Sequence, residues 1–570
     1  MIARKSLLAM IAGAWVTQAS ATPRTAFVHL FEWSWDDVAE ECEQVLGPKG
    51  FAAVQVSPPQ KSINGGAWWT RYQPISYEIV GRSGNRSQFQ SMVNRCQAVG
   101  VDIYVDAVIN HMAASGNRNY PEVPYGPNDF NYCGSPIDYY DRYKVQFCDL
   151  VGLNDLKTSS DYVQGKIADY LNDLTRMGVK GFRIDAAKHI PAGDVRAIVS
   201  RLEGNPYIFQ EVIEAFGEPV RPEEYVGNGN VTEFRFEREM GAIFKGFKPL
   251  KELQWINRKG WLRSDQAVVF VSNHDDQRQY PERTLTYKDV GNLYYIAEIA
   301  MLAYPYGYPK VMSSYYFSDK DQGPPSRGPN TGDRCFDGGW VCEHRWNGIA
   351  NMVEFRNQTA GEWRLSHWWD DGSNQIAFGR GGLGFVAINR NDFQSLNQRL
   401  QTGMPAGEYC DIVHGNFDKA TGLCDGPTVT VDGSGFASFD VATIDAVAIH
   451  VGAKVGKSQG GDNGSTPLPP PEGSRDITFI CDNGETVLGQ SVFVVGNIPE
   501  LGNWKASQAI KIDPDNYPQW EGTVTIDSNG TVEWKCIKGQ DDSPASGTVW
   551  QSGPNNTLNP AGSSSTRGSF

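Results

Sequence analysis

The stretch GFRIDAAKH, residues 181–189, decides how the chain is read. Phe182 and Ile184 alternate with Arg183 and Asp185, and the apolar run then stops at Lys188 and His189. Successive side chains of a strand point to opposite faces, so Arg183 and Asp185 share one face of a strand that ends in a carboxylate. Seven other β-rich runs have the same character: TAFVHLF, FAAVQVS, VDIYVDAVIN, YIFQEVI, TEFRF, AVVFVSNHD and YPKVMSSY. Amphipathic helical stretches separate them, the signature of a parallel sheet. Eight parallel strands, each followed by a helix, predict a (β/α)8 TIM barrel with its active site at the strand C-termini.

Polar residues gather at those ends: Asp106, Asn110 and His111 on strand three, Arg183 to His189 around strand four, Glu211 on strand five, His274 and Asp275 on strand seven. Most acids in any chain are solvated or salt-bridged. Three acids that each end a strand of one barrel converge instead on one pocket. A nucleophile, a proton donor and a third acid that orients substrate are what glycosidic cleavage needs. Neither a phosphate-cradling glycine loop nor a GxSxG elbow is present.

Working outward, Arg4 and Lys5 precede an apolar run from Leu7 to Val16 and the small residues Ala19-Ser20-Ala21, an export leader too short to span a bilayer. His111 to about Asp155, rich in Asn, Pro, Tyr and Gly, is too long and irregular for a crossover helix and reads as an insertion after strand three. Gly-punctuated hairpins follow from His367, and the stretch KSQGGDNGSTPLPPPEGS cannot bury enough apolar surface to fold. The organisation read from the sequence is therefore a leader at 1–21, a catalytic barrel at 22–111 and 156–366, an inserted domain at 112–155, an all-β domain at 367–452, a Gly/Ser/Pro linker at 453–475 and a β-sandwich at 476–570.

With 51 basic and 66 acidic residues the net charge is −15, which argues against nucleic acid and anionic membranes as partners. The 16 Trp and 24 Tyr suit stacking on sugar rings as well as core filling. Ten cysteines, an even number in the exported part, predict disulfides. Cys133 with Cys148, Cys335 with Cys342 and Cys410 with Cys424 are local couples. Cys42 with Cys96 and Cys481 with Cys536 share a domain, but spacing does not fix their connectivity, and free thiols stay open.

DAVINH (106–111), GFRIDAAKH (181–189), EVIE (211–214) and VSNHDDQR (271–278), in that order, resemble the four hallmark segments of glycoside hydrolase family 13. HLFEWSWDDVAEEC, VQVSPPQ, WWTRYQP and WVCEHRWNGIANMVEFRN resemble its chloride-dependent, animal-type α-amylases, over about residues 25 to 450. The resemblance implies secreted, retaining endo-hydrolysis of α-1,4-glucans, with Asp185 as nucleophile, Glu211 as general acid and base, and Asp275 as third acid. It implies substrate contacts from Trp68, Trp69, Arg71, Tyr72, Gln73, His111, Lys188, His189 and His274. It further implies a structural Ca²⁺ held by Asn110 and Asp155 with backbone oxygens near Gln146 and His189, and an activating chloride on Arg183, Asn273 and Lys310. A carboxylate pair for Arg183 without an ion is the alternative. The family's Gly-rich mobile loop is missing; QRQYPERTLTYKD stands in its place.

VFVVGNIPELGNW (492–504), TVEWKCIK (531–538) and Trp550 resemble carbohydrate-binding module family 20, which binds starch. The resemblance implies a first sugar site from Trp504, Lys535 and Trp550 and a second from Tyr517 and Trp520; Trp534 reads as core. The implied partners are starch, amylose, amylopectin, glycogen and maltooligosaccharides, bound by a monomer. A catalytically silent glucan-binding protein and a transglycosylase on the same barrel are the competing readings.

Overall fold

The computed structural model describes residues 24–330, 335, 339–456, 475–487, 490–526, 531–540, 544–545, 547–559 and 565–570. The expected leader and linker residues 457–474 lie outside the described residues. The chain forms two compact units, 1–458 and 459–570. Among the described residues no helix is long and apolar enough to cross a membrane.

Eight parallel strands close the barrel of the first unit: β1 (Phe27–Leu30), β2 (Ala53–Val56), β3 (Asp102–Ala107), β4 (Gly181–Ile184), β5 (Tyr207–Gln210), β6 (Asn230–Thr232), β7 (Ala267–Val269) and β8 (Tyr308–Ser313). Each pairs with its neighbour in sequence, and β1 closes on β8 through Phe27 opposite Lys310. The sixth run differs from the sequence reading. The strand is Asn230–Thr232, while Phe234-Arg235-Phe236 opens a helix, Phe234–Phe244, whose start is capped by Glu233 accepting from the Arg235 amide. Phe234 and Phe236 mimic strand alternation, but both lie on the buried side of a helix that also buries Met240, Ile243 and Phe244.

The barrel interior is layered. Phe27, Tyr104, Phe209 and Val268 form an apolar floor with Tyr207 and Tyr308, Phe27 packing edge-on to Tyr104 and Phe209 at 5.5 Å. Two residues further along the strands come His29, Gln55, Asp106, Arg183 and Lys310, all buried. The strand-end acids follow. Period-two alternation therefore stacks an aromatic plug, a buried polar layer and the carboxylates toward the barrel mouth.

The ends of the segment inserted after β3 are zipped together, His111 opposite Asp155 and Met112 opposite Asn154. Behind the barrel, Ser366–Asp370, Gln375–Arg380, Gly384–Asn389 and Asp445–His450 make an antiparallel sheet. Arg380 from that sheet donates to the Ala303 carbonyl at 2.5 Å, tying it to the helix that leads into β8.

The second unit is two facing sheets, one centred on Arg475–Asp482 and Gln519–Ile526, the other on Gln490–Gly496 and Val532–Gln540. Trp534 is buried edge-on to Phe479, as read from the sequence. All ten cysteines pair: Cys42–Cys96, Cys133–Cys148, Cys335–Cys342, Cys410–Cys424 and Cys481–Cys536.

Candidate active site

One buried guanidinium organises the barrel mouth. Arg183, on β4, donates from Nη1 to Asp106 Oδ1 (2.5 Å) and Asp185 Oδ1 (2.9 Å), and from Nη2 to Glu211 Oε1 (2.5 Å). The backbone fixes both acids: the Asp185 amide donates to Ala107 O and the Glu211 amide to Ile184 O, extending the sheet one residue past the strands. Ala186 then turns with φ 48°, a left-handed conformation rarely adopted by a residue with a Cβ, and its amide donates to Glu211 Oε2 at 2.9 Å. That strained turn couples the acid after β4 to the acid after β5.

Asp275 precedes a short helix, Asp276–Gln279, and its amide donates to Asn273 Oδ1 at 2.9 Å. His274 Nε2 stands 3.3 Å from Asp275 Oδ2. The His274 ring stacks on Tyr72 at 5.4 Å and meets Phe31, His29 and Trp68. Burial, with the Arg183 charge, holds the imidazole well below its ordinary pKa, so it is neutral.

Four carboxyls, Asp106, Asp185, Glu211 and Asp275, thus crowd around the cations Arg183 and Lys310. Desolvation, opposed by the Arg183 charge and reinforced by neighbouring carboxylates, raises Asp106 and Asp185, while desolvation and then the Glu211 charge push Asp275 up to about 7. Burial pulls Lys310 down to about 8. Like charges this close oppose one another's ionisation, and Asp275 keeps a proton toward neutrality.

Asp185, Glu211 and Asp275 open onto a cavity of about 640 Å³, with Asp106 buried beneath it. Trp68, Trp69, Tyr72, His111, Lys188, His189 and His274 line it, so seven of the nine expected substrate contacts are brought together. Arg71 and Gln73 are not among them. Arg71 is 2% exposed and spends its guanidinium on the Pro58 carbonyl, Ser83 Oγ and, at 3.8 Å, Glu32, which makes it a brace beneath the Trp68–Tyr72 turn. Gln73 caps that turn by donating its amide to Thr70 O. Sequence reading missed Tyr139, Glu218 and Tyr280, which also line the cavity. Lys188 pairs with Glu218 and stands 4.8 Å over the Tyr139 ring. Only Tyr280 carried a signal, its place just after VSNHDDQR.

The two expected ion sites differ in how they are built. Asn110 Oδ1 is buried with no hydrogen-bond partner among the described residues, beside the buried Asp155, whose carboxylate accepts from Asn131 at 2.8 Å. Leu156 N donates to Asn110 O at 3.0 Å, which holds the two residues together. Gln146 stands in the last turn of the Arg142–Phe147 helix, and His189 is tied to that helix by Nδ1 at 2.8 Å from Val145 O. In the other set, Lys310 stands 4.6 Å over the Phe270 ring, and among the described residues no carboxylate lies within 4.0 Å of it and both ring nitrogens of nearby His29 lack hydrogen-bond partners. Asn273 departs from expectation. Its Nδ2 already donates to Glu237 Oε1 (2.9 Å) and Asp276 Oδ2 (3.0 Å), leaving no hydrogen for an anion.

In the C-terminal unit, Trp504 packs beside Phe493, Val495 and Ile537, and Trp550 is the cross-strand partner of Ile537 and 42% exposed. Both indoles therefore flank one strand. Lys535 donates to the Gln551 and Gly553 carbonyls (2.9 and 2.7 Å), bracing the turn behind Trp550. Tyr517 is exposed, but Trp520 is 4% exposed, donates to Gly484 O and belongs to the core, which corrects its assignment to a sugar site.

Comparisons with known proteins agree with this geometry. Residues 368–452 match the alpha amylase C-terminal all-beta domain, and 474–569 match the starch binding domain. The chain is 42% identical to an α-amylase of Streptomyces violaceus, covering 98% of this chain and 97% of that one. It is 44% identical to pancreatic α-amylase 2a5 of Mus musculus over 79% of this chain and 99% of that one. Among solved structures, wild-type α-amylase I from Eisenia fetida superposes with a TM-score of 0.70 at 40% identity, covering 75% of this chain and 97% of that one.

Proposed function

Since this chain belongs to the α-amylase family of glycoside hydrolases, we propose that it cleaves α-1,4-glucosidic bonds inside starch and related glucans with retention of configuration. The observation that carries this reading is the Arg183 guanidinium, whose adjacent nitrogens hold Asp185 and Glu211. Retaining enzymes need their two carboxyls about 5 Å apart, close enough for direct attack on the sugar.

In the first step Asp185 attacks the anomeric carbon while Glu211 gives a proton to the departing glycosidic oxygen. In the second, Glu211 takes a proton from water as that water displaces Asp185. Asp275, raised to about 7, keeps a proton to donate to sugar hydroxyls near neutrality, and neutral His274 orients it. Tyr72 donates to Asp106 Oδ2 at 2.9 Å and so keeps that acid turned toward Arg183 beneath the reacting groups. Substrates include amylose, amylopectin, glycogen and maltooligosaccharides. The N-terminal export signal and five disulfides support secretion.

The unpartnered Asn110 oxygen and the buried Asp155 carboxylate fit a hard cation, with carbonyls near Gln146 and His189 completing the set. Calcium there would tie the inserted segment to the barrel. Lys310 and the remaining N–H groups of Arg183 fit an anion; Asn273 does not. Chloride, when bound, would supply a negative charge to the buried cations. The C-terminal unit, through Trp504 and Trp550, would hold the enzyme at starch granules and raise local substrate concentration.

The test compares wild type with Glu211→Gln on soluble starch, following new reducing ends and iodine staining together. Wild type should lose staining while few ends appear, and the variant should lose several orders of magnitude in rate. Staining that fades only in proportion to ends refutes internal cleavage, and an active variant refutes the role of Glu211.

A further inference from the structure

The segment that takes the place of a mobile glycine-rich loop is strapped down. Tyr280 accepts at its carbonyl from the amides of Arg283 (2.9 Å) and Thr284 (3.2 Å), and its own amide donates to Asp276 O. The helix Phe234–Phe244 holds the turn from behind: Thr284 Oγ1 donates to buried Glu237 at 3.3 Å. Lys245, at that helix's end, donates to Pro281 O at 2.9 Å. Gly241 lets the turn approach so closely that a Cβ there would stand 2.1 Å from Arg283 O. The Arg283 guanidinium lies 5.3 Å from the Tyr280 ring. Tyr280 is thus a fixed aromatic face, 44% exposed.

That face stands at a saddle. Beyond the catalytic cavity lies a second one of about 430 Å³, and Trp68, Trp69, Gln279 and Tyr280 line both. The second adds Lys320 and Asp321, polar groups at sugar-hydroxyl reach, and Trp68 Nε1 anchors this side by donating to Lys320 O at 2.8 Å. Trp69, 37% exposed, and Tyr280 are the exposed aromatic surfaces of the passage. Apolar rings flanked by hydrogen-bonding groups match the two-sided chemistry of a pyranose, apolar on its C–H face and polar at its rim.

We propose that Tyr280 is a specificity-determining residue that selects long glucans by stacking on the sugar that crosses from the catalytic cavity into the second one, opposite Trp69. This rests on the catalytic reading above. Tyr280 borders both cavities, so a chain confined to the catalytic cavity meets only its near edge, whereas a chain threading both is held at the saddle.

The experiment measures kcat/KM for maltoheptaose and maltotetraose in wild type, Tyr280→Ala and Tyr280→Phe. Loss of one stacking face should lower the maltoheptaose to maltotetraose ratio about 10-fold in Tyr280→Ala, while Tyr280→Phe stays within about 2-fold of wild type. Gly241→Val, which displaces the turn, should move the ratio the same way. An unchanged ratio in Tyr280→Ala, or an equal loss on both substrates, overturns the proposal. If wild type cleaves neither oligosaccharide, the catalytic reading fails instead.

Discussion

Replacing Asp275 by Asn should make the protein more stable and nearly inactive, and the gain should depend on pH. The Asp275 carboxyl titrates near 3.8 in the unfolded chain and at about 7 in the folded one, because burial, then the Glu211 charge, disfavour its ionised form. At pH below about 4 it is protonated in both states and costs nothing. Between about 4 and 7 the unfolded chain releases a proton that the folded chain keeps, so folding stability falls as pH rises; above 7 the full cost persists. Three pKa units correspond to a ceiling of about 4 kcal/mol. The side chain is 28% exposed, so solvent screening reduces this to about 2 kcal/mol. Urea unfolding followed by tryptophan fluorescence should find wild type and Asp275→Asn alike near pH 4 and the variant about 2 kcal/mol more stable at pH 8. A gap that does not change with pH, or a variant less stable at pH 8, refutes the account of this site as a cluster of unwillingly ionised acids.

A chelator should lower the melting temperature of wild type and leave Asp155→Asn unmoved, since a cation at a thousandfold excess over its Kd contributes about 4 kcal/mol; an unchanged wild-type melt removes the calcium site. Exhaustive dialysis into a non-binding anion should lower activity about 5- to 100-fold, with recovery on adding chloride. Lys310→Met should abolish that response, and no loss on dialysis sinks the anion reading. Trp550→Ala should weaken adsorption to starch granules about 10-fold without changing kcat/KM on maltoheptaose. Trp520→Ala should instead destabilise the C-terminal unit by about 3–5 kcal/mol, because it empties a core position. Unfolding of that variant at the wild-type midpoint would return Trp520 to the sugar-binding face.

The barrel and its acids were legible because alternation in a strand is a local property. GFRID shows by itself that Arg183 and Asp185 share a face, and the apolar runs that carry Asp106, Glu211 and Asp275 repeat that pattern. Where local pattern admits two structures, it misleads: Phe234-Arg235-Phe236 reads as a strand and opens a helix, because the Glu233 cap and the contacts of Met240 and Phe244 outweigh alternation over three residues. Burial and partner choice are not local either. Arg71 reads as a substrate ligand until Pro58, Ser83 and Glu32 enclose it, and Trp520 as a sugar platform until the opposite sheet covers it. Asn273 reads as an anion ligand until Glu237, 36 residues earlier, takes its amide hydrogen. Sequence by itself determined which side chains a strand delivers to the barrel mouth, since that follows from chain geometry. Only the tertiary structure decided which of them face the cavity, because a hydrogen-bonding group goes to whatever partner the folded chain brings within reach.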